Sequence, residues 1–394
     1  MFTDSFSTTG IADARNLQRL GITRVGDITG LDTIGLPVWF ATRPNSRALS
    51  VSQGKGITEA KARLSAVMEA AETAIAERPE DLGLLFGTCQ ELRARGRYLL
   101  PFERIMRCTS GRIDPARERA WVQGQALRSG RAILAPYELI GLDMRTKAPW
   151  DHDAFKMSSI GLAAADNAAR AALHALLEVV EHDATATLDL FGLGTGNVHG
   201  LACETGGDPD LDAALTKVAA AGFTPHFFDL TGTVALPVVA CFLTRQVMSS
   251  AGAGDKLTAG FACRPDAHQA ALAALLECVQ SRATDIAGAR DDITDADYRA
   301  SLARLPTAMT SRRRLSEMRG HRAAATFTTI GQMSEHVSDT VLAAGADDIY
   351  CFPLSHDVPN LHVARVLVPG LAVAGSTGVT SGGASLIDAL MQGL

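Results

Sequence analysis

Three stretches hold the residues with most chemistry to offer. "SAVMEAAE" (65–72) carries Glu69 and Glu72, "LLEVVEHD" (176–183) carries Glu178 and Glu181, and "LLECVQSR" (275–282) carries Glu277 and Gln280. Residues i and i+3 share one face of a helix, so each pair presents two oxygen ligands side by side. Two carboxylates that close repel, severely if buried, unless a cation sits between them. Mg2+ is such a cation, taking carboxylate oxygens together with phosphate and water. A single E-x-x-E pair is ordinarily just a solvated helix face. Here the second and third pairs lie in apolar surroundings, "ALLEVVEHDA" and "ALLECVQSRA", and the arrangement recurs three times. Converging, the three pairs would form an acidic pocket for Mg2+ and a polyphosphate.

The elements that must position them repeat as well. Each pair follows a glycine-containing loop, a polar helix start and an Ala-rich amphipathic helix. The spacing is 17 residues from Gly161 to Glu178 and 17 from Gly260 to Glu277, and 13 from Gly56 to Glu69. The shorter copy differs by about one helical turn. Its loop, "SVSQGKG" (50–56), sets Lys55 between Gly54 and Gly56 but is not a Walker site. That motif reads G-x-x-x-x-G-K-[ST], and here Gly56 follows the lysine while Leu49 stands where the first glycine belongs.

Periodicity predicts helices over 58–78, 166–190, 209–221, 266–288 and 332–344, with strands over 119–127, 223–230, 236–244, 348–354 and 362–370. The expected fold class is mixed α/β (α+β). No linker divides the chain, so one domain over 1–394 is expected, with a core of about 20–370 and a flexible Gly/Ser segment over 374–394.

Hydrophobic content of 47% and charged content of 20% are globular values, and a net charge of −6 argues against a nucleic-acid binder. The one dense basic run, "SRRRLSEMRGHR" (311–322), reads as a solvated helix and linker, with a docking patch for an acidic partner as the alternative. The seven cysteines never fall in C-x-x-C spacing, which suits reduced thiols and offers no zinc site. No signal peptide or membrane-length apolar run is visible, so a cytoplasmic location without membrane partners is expected.

Together these motifs resemble the YcaO family, ATP-dependent enzymes that activate the oxygen of a peptide-bond amide. "SVSQGKG...SAVMEAAE" is similar to the family's first nucleotide motif, "GLAAADNAARAALHALLEVVEHDA" to its second and "LLECVQSRATDIAGARDD" to its third. The resemblance covers about residues 20–300. The opening "LGITRVGDITGLDTIGLPVWFATRPNS" (20–46) looks most like the subgroup associated with a TfuA partner, which implies backbone thioamide formation.

What the resemblance implies can be carried over by residue. ATP and Mg2+ would be the cofactors, at a three-motif site unrelated to the Walker fold. Lys55 and Ser65 would contact nucleotide or phosphate, with Arg43 and Ser52 near them. Glu69, Glu72, Glu178, Glu181, Glu277 and Gln280 would hold Mg2+ and the triphosphate, and Arg282 and Arg290 would steady phosphate oxygens. Glu178, Glu181 and His182 would stand nearest the chemistry. Plainer roles are open for some: Ser65 as a tolerated helix residue, Arg43 as a surface charge, Arg290 as a partner of Asp291 or Asp292.

Two positions depart from the family pattern. His182 stands where E-x-x-E-R-D has Arg, and a histidine carries charge only part of the time at neutral pH. Ile160 replaces the Asn of S-N-G-L-A. The last proline is Pro369, whereas azoline-forming members end in a proline-rich tail, which tips the expectation towards thioamidation. A peptide or protein substrate and a TfuA-like partner are then implied, and a homodimer is left open. The alternatives are an azoline-forming cyclodehydratase, a non-catalytic ATP-binding scaffold, and an ATP-dependent ligase or kinase acting on a metabolite.

Overall fold

The computed structural model describes residues 10–105, 113–191, 199–245, 257–288 and 312–371. The described residues fall into two compact units, each gathered from segments far apart in sequence. The Gly/Ser segment 374–394 and Arg290 lie outside the described residues.

The first unit draws on Met1–Asn45, Leu49–Ala70 and Phe191–Thr328. It holds an antiparallel sheet of β1 (Arg24–Asp27), β2 (Val38–Thr42) and β3 (Val51–Lys55). A second sheet runs in the order β11 (Thr258–Cys263), β10 (Val238–Arg245), β9 (Phe223–Asp229), β8 (His199–Ala202), β12 (Arg312–Arg314). Helices α6 (Pro209–Ala220) and α7 (Ala267–Ala287) belong to it. Along α7, Ala267, Ala270, Ala271, Ala274, Leu275 and Cys278 are all buried and share one core with Val239, Cys241 and Leu243 of β10. Their i, i+3, i+4 spacing is the apolar stripe that makes this sequence a helix, and small residues let the sheet come close.

The second unit draws on Ser46–Ala48, Ala71–Leu190 and Thr329–Leu394. Its antiparallel sheet has the order β4 (Leu85–Gly87), β5 (Arg119–Ala126), β13 (Tyr350–Leu354), β14 (His362–Leu367), β7 (Leu162–Ala165), with β6 (Ala132–Pro136) also paired to β5. Helix α5 (Ala168–Phe191) follows β7 directly. The helix α2 (Glu59–Ala76) contributes residues to both units.

A buried arginine ties the second unit together. Arg365, fully buried on β14, donates from Nε and Nη2 to the Ile140 carbonyl at 3.1 and 3.0 Å and from Nη1 to the Ile160 carbonyl at 2.7 Å. These bonds hold the backbone just before β7. The Ile160 side chain is itself buried, so the residue that replaces the family's Asn is an apolar contributor to this core.

The five strands and five helices expected from periodicity are all present within two or three residues of their expected ends. The basic run is solvated, with Arg314, Arg319 and Arg322 exposed, but its expected helix is corrected. Arg312–Arg314 form an edge strand pairing in parallel with β8, a 3-10 turn follows at Leu315–Glu317, and Leu315 and Met318 are buried. Arg313 Nη1 lies 3.0 Å from the Asp229 carboxylate, so sheet pairing and an ion pair hold this segment extended.

Candidate functional site

The threefold echo in the sequence is a threefold strand–turn–helix: β3 into α2, β7 into α5, β11 into α7. Gly54 and Gly260 lie on the strands that press on the helix, while Gly56 and Gly161 lie in the turns beside β3 and β7, as expected. A Cβ on Gly54 would meet Ala66 N at 2.0 Å and Ala62 O at 2.4 Å, and one on Gly260 would meet Ala274 O at 2.2 Å and Cys278 N at 2.3 Å. Gly161, at φ +76°, is closed off by Val366 O at 2.4 Å and by Val179 of α5 at 2.8 Å. Glycine stands at these places because no side chain fits between strand and helix. The close approach sets each carboxylate pair at a fixed height beside its strand.

In the first unit this brings Lys55, Glu277 and Gln280 together. Lys55, the last residue of β3, donates to Glu277 Oε2 at 2.8 Å, with side chains 28% and 32% exposed. Gln280 Nε2 donates to the Gln53 carbonyl at 3.3 Å. Gln53 is buried; its side-chain oxygen meets the Thr284 hydroxyl, and its Nε2 has no acceptor among the described residues. Ser52 is buried on the same strand, and Ser65 and Glu69 are half-buried on α2.

Two of the candidate arginines are buried. Arg43 is buried and no surface charge; its Nε donates to the Leu20 carbonyl at 2.9 Å. Arg282 is buried too. Its Nε donates to Asp32 Oδ2 at 2.9 Å, both side chains are 6% exposed, and the guanidinium carbon lies 4.7 Å from the Phe223 ring centre. This charge is matched inside the first unit by a carboxylate and an aromatic face.

In the second unit the Glu72 Oε1 accepts the Ala164 N–H at 2.8 Å, which ties the first carboxylate helix to the strand leading into the second. Glu178 and Glu181 are half-buried on α5. His182 Nε2 lies 3.9 Å from Glu178 Oε1, so the residue in the family's Arg position stays beside the carboxylate it would complement.

Sequence reasoning missed a further cluster of metal-ligand types: Asp266, His268 and His321 offer donor atoms within 4.8 Å of one another. Their bonds describe a helix cap. Asp266 Oδ1 accepts the His268 N–H at 2.9 Å, Oδ2 accepts the Ala324 N–H at 2.7 Å, and His321 Nδ1 accepts the Ala267 N–H at 3.1 Å. The first-turn donors of α7 thus find their partners here. Nor do the thiols in this region make nucleophiles: burial, then the Glu204 charge, pushes Cys203 up to about 12, and burial pushes Cys241 well above its ordinary value.

With this geometry in view, the likeness to known proteins can be read. The model of the family described as YcaO cyclodehydratase, ATP- and Mg2+-binding, matches residues 53–372. The chain belongs to the YcaO family. An uncharacterized protein in the tfuA 3' region of Rhizobium leguminosarum bv. trifolii is 36% identical over 373 residues, covering 91% of this chain and 85% of that protein. The YcaO structure from Methanopyrus kandleri, bound with AMPPCP and Mg2+, superposes with a TM-score of 0.67 at 21% identity over 90% of this chain and 88% of that one. A heterocyclase in complex with substrate and cofactor gives 0.68 at 19% identity, over 89% of this chain and 50% of that one.

The mixed α/β fold is therefore the YcaO fold, and ATP and Mg2+ are its cofactors. The residues present fit them. A carboxylate that already takes an ammonium at 2.8 Å can take a divalent cation, and the buried Gln53 Nε2 is a donor without an acceptor among the described residues. Among the described residues no helix is long and apolar enough to cross a membrane.

Proposed function

We propose that this YcaO chain activates a peptide-bond amide by ATP- and Mg2+-dependent O-phosphorylation, and that it installs a backbone thioamide in a peptide or protein with sulfide delivered by a TfuA-like partner. The observation that carries the nucleotide part is the Lys55–Glu277 pair at the end of β3. It sets a phosphate-type cation and a metal-type carboxylate in contact, the lysine from one of the three matched strand–turn–helix units and the carboxylate from another. The sulfur part is supported by the relative in the tfuA 3' region and by the similarity of residues 20–46 to the TfuA-associated subgroup.

An amide carbonyl is a weak electrophile, and the tetrahedral adduct formed on it has a poor leaving group. Bound Mg-ATP supplies the phosphoryl group that makes this oxygen leave as phosphate, and the cations that neutralise its charge. Lys55 binds phosphate oxygens, with Ser52 and Ser65 close in sequence to it. Glu69, Glu72, Glu178, Glu181, Glu277 and Gln280 hold the cations, and His182 donates to phosphate from the family's Arg position. Arg43, Arg282 and Arg290 are the remaining candidates for nucleotide contact. A cytoplasmic location suits a chain with these partners.

Incubation with ATP, Mg2+, sulfide, the partner and a candidate peptide should give the mass gain of replacing oxygen by sulfur, with release of ADP and phosphate. Loss of one water instead would establish the second reading, azoline-forming cyclodehydration, which the description of the family model favours. Nucleotide binding without turnover on any peptide would leave an ATP-binding scaffold.

A further inference from the structure

Lys55 and a divalent cation are drawn to the same oxygen. The Lys55 ammonium lies 2.8 Å from Glu277 Oε2, a full charge-assisted hydrogen bond. A Mg2+ ion bound to that oxygen would sit about 2.1 Å from it. The two cations would then crowd one carboxylate and repel each other. The backbone of Lys55 cannot withdraw to relieve this. Gly54 on one side is packed against Ala62 and Ala66 of α2, and a Cβ on Gly56 on the other side would meet Ala62 N at 2.6 Å. The lysine side chain, 28% exposed, is able to move.

From this we infer that Lys55 acts as an exchangeable counter-ion that makes metal binding at Glu277 depend on phosphate. Without a phosphate to receive it, the ammonium holds Glu277 and weakens the carboxylate's affinity for a free divalent ion. When a polyphosphate offers Lys55 a replacement anion, the lysine swings over and Glu277 is released to the metal. Metal and phosphate then favour each other's binding through one side chain, and the coupling is reciprocal. Lys55 is in this respect a gating residue, in addition to any contact it makes with nucleotide. The inference rests on the Mg-ATP reading only for the identity of the phosphate ligand.

The test is Mn2+ binding to the full chain, followed by electron paramagnetic resonance, with AMPPNP absent and present. For a half-exposed pair of this kind the lysine should weaken free Mn2+ binding about two- to fivefold. Lys55→Met should therefore bind free Mn2+ more tightly than the native chain by that factor, while gaining less from AMPPNP. Lys55→Met/Glu277→Gln should lose the gain. Circular dichroism would confirm that each variant folds. Equal Mn2+ affinity in Lys55→Met and the native chain, or a gain that survives Glu277→Gln, would overturn the inference. Tighter Mn2+ binding by Lys55→Met, in a protein whose native form ignores AMPPNP, would keep the competition and defeat the Mg-ATP reading.

Discussion

Gly54 and Ala66 stand so close that a Cβ on the glycine would lie 2.0 Å from the Ala66 nitrogen. The atom it would strike is backbone of a well-packed helix, which cannot step aside as a flexible side chain could. Gly54→Ala is therefore expected to destabilise the protein by about 3 kcal/mol or more, at the upper end of overpacking costs. Gly30→Ala, where nothing lies within 4 Å, is the control, expected within about 0.5 kcal/mol of the native chain. Chemical denaturation of the two variants checks the pair, and equal stabilities would contradict the strand–helix contact.

Arg282 and Asp32 make a second prediction. Both side chains are 6% exposed, so removing the arginine strands a buried carboxylate. Arg282→Ala should cost about 3–5 kcal/mol. Arg282→Ala/Asp32→Ala should recover part of that loss, because the uncompensated charge goes with it. A drop in nucleotide affinity with unchanged stability in Arg282→Ala would instead assign the residue the phosphate role implied by the family resemblance.

The loop around His321 should make stability depend on pH. Burial pushes the His321 imidazole below its usual range; Asp266 pulls the other way and His268 adds to the decrease. Its Nδ1 accepts the Ala267 N–H, an acceptor that protonation removes. A histidine with a folded-state pKa below its unfolded one binds more protons when unfolded. Its stabilising effect is complete above the unfolded value of about 6.5 and declines as the pH falls through it. Thermal midpoints should accordingly fall from about pH 7.5 towards about pH 5.5. His321→Asn, which keeps an acceptor oxygen and cannot titrate, should flatten the slope; an unchanged slope would assign the effect to other groups.

How much of this was legible in the sequence depends on what each residue touches. Helices α5 and α7 were readable end to end because their Ala and Leu residues keep strict helical spacing. The strands before the carboxylate helices were not: "VSQGK", "LAAA" and "TAGFAC" are poor in the branched and aromatic residues that mark a strand. They are small because a helix lies against them, a tertiary fact with no local signature. The carboxylate pairs were singled out by their spacing, and Lys55 by its setting between glycines. Asp32 was missed as the partner of Arg282 because 250 residues separate them. The strand at 312–314 was missed since its partners, β8 and Asp229, are also remote in sequence.

The central claim, that ATP is spent on the oxygen of a peptide amide, can be tested without knowing which nucleophile follows. A peptide substrate isotopically labelled at its backbone carbonyl oxygens is turned over with ATP, Mg2+ and the partner, and the released phosphate is analysed by mass spectrometry. The account predicts that the label appears in phosphate, one labelled phosphate for each modified amide, whether the product is thioamide or azoline. Phosphate that carries oxygen from water alone, with the label retained in the peptide, would contradict it.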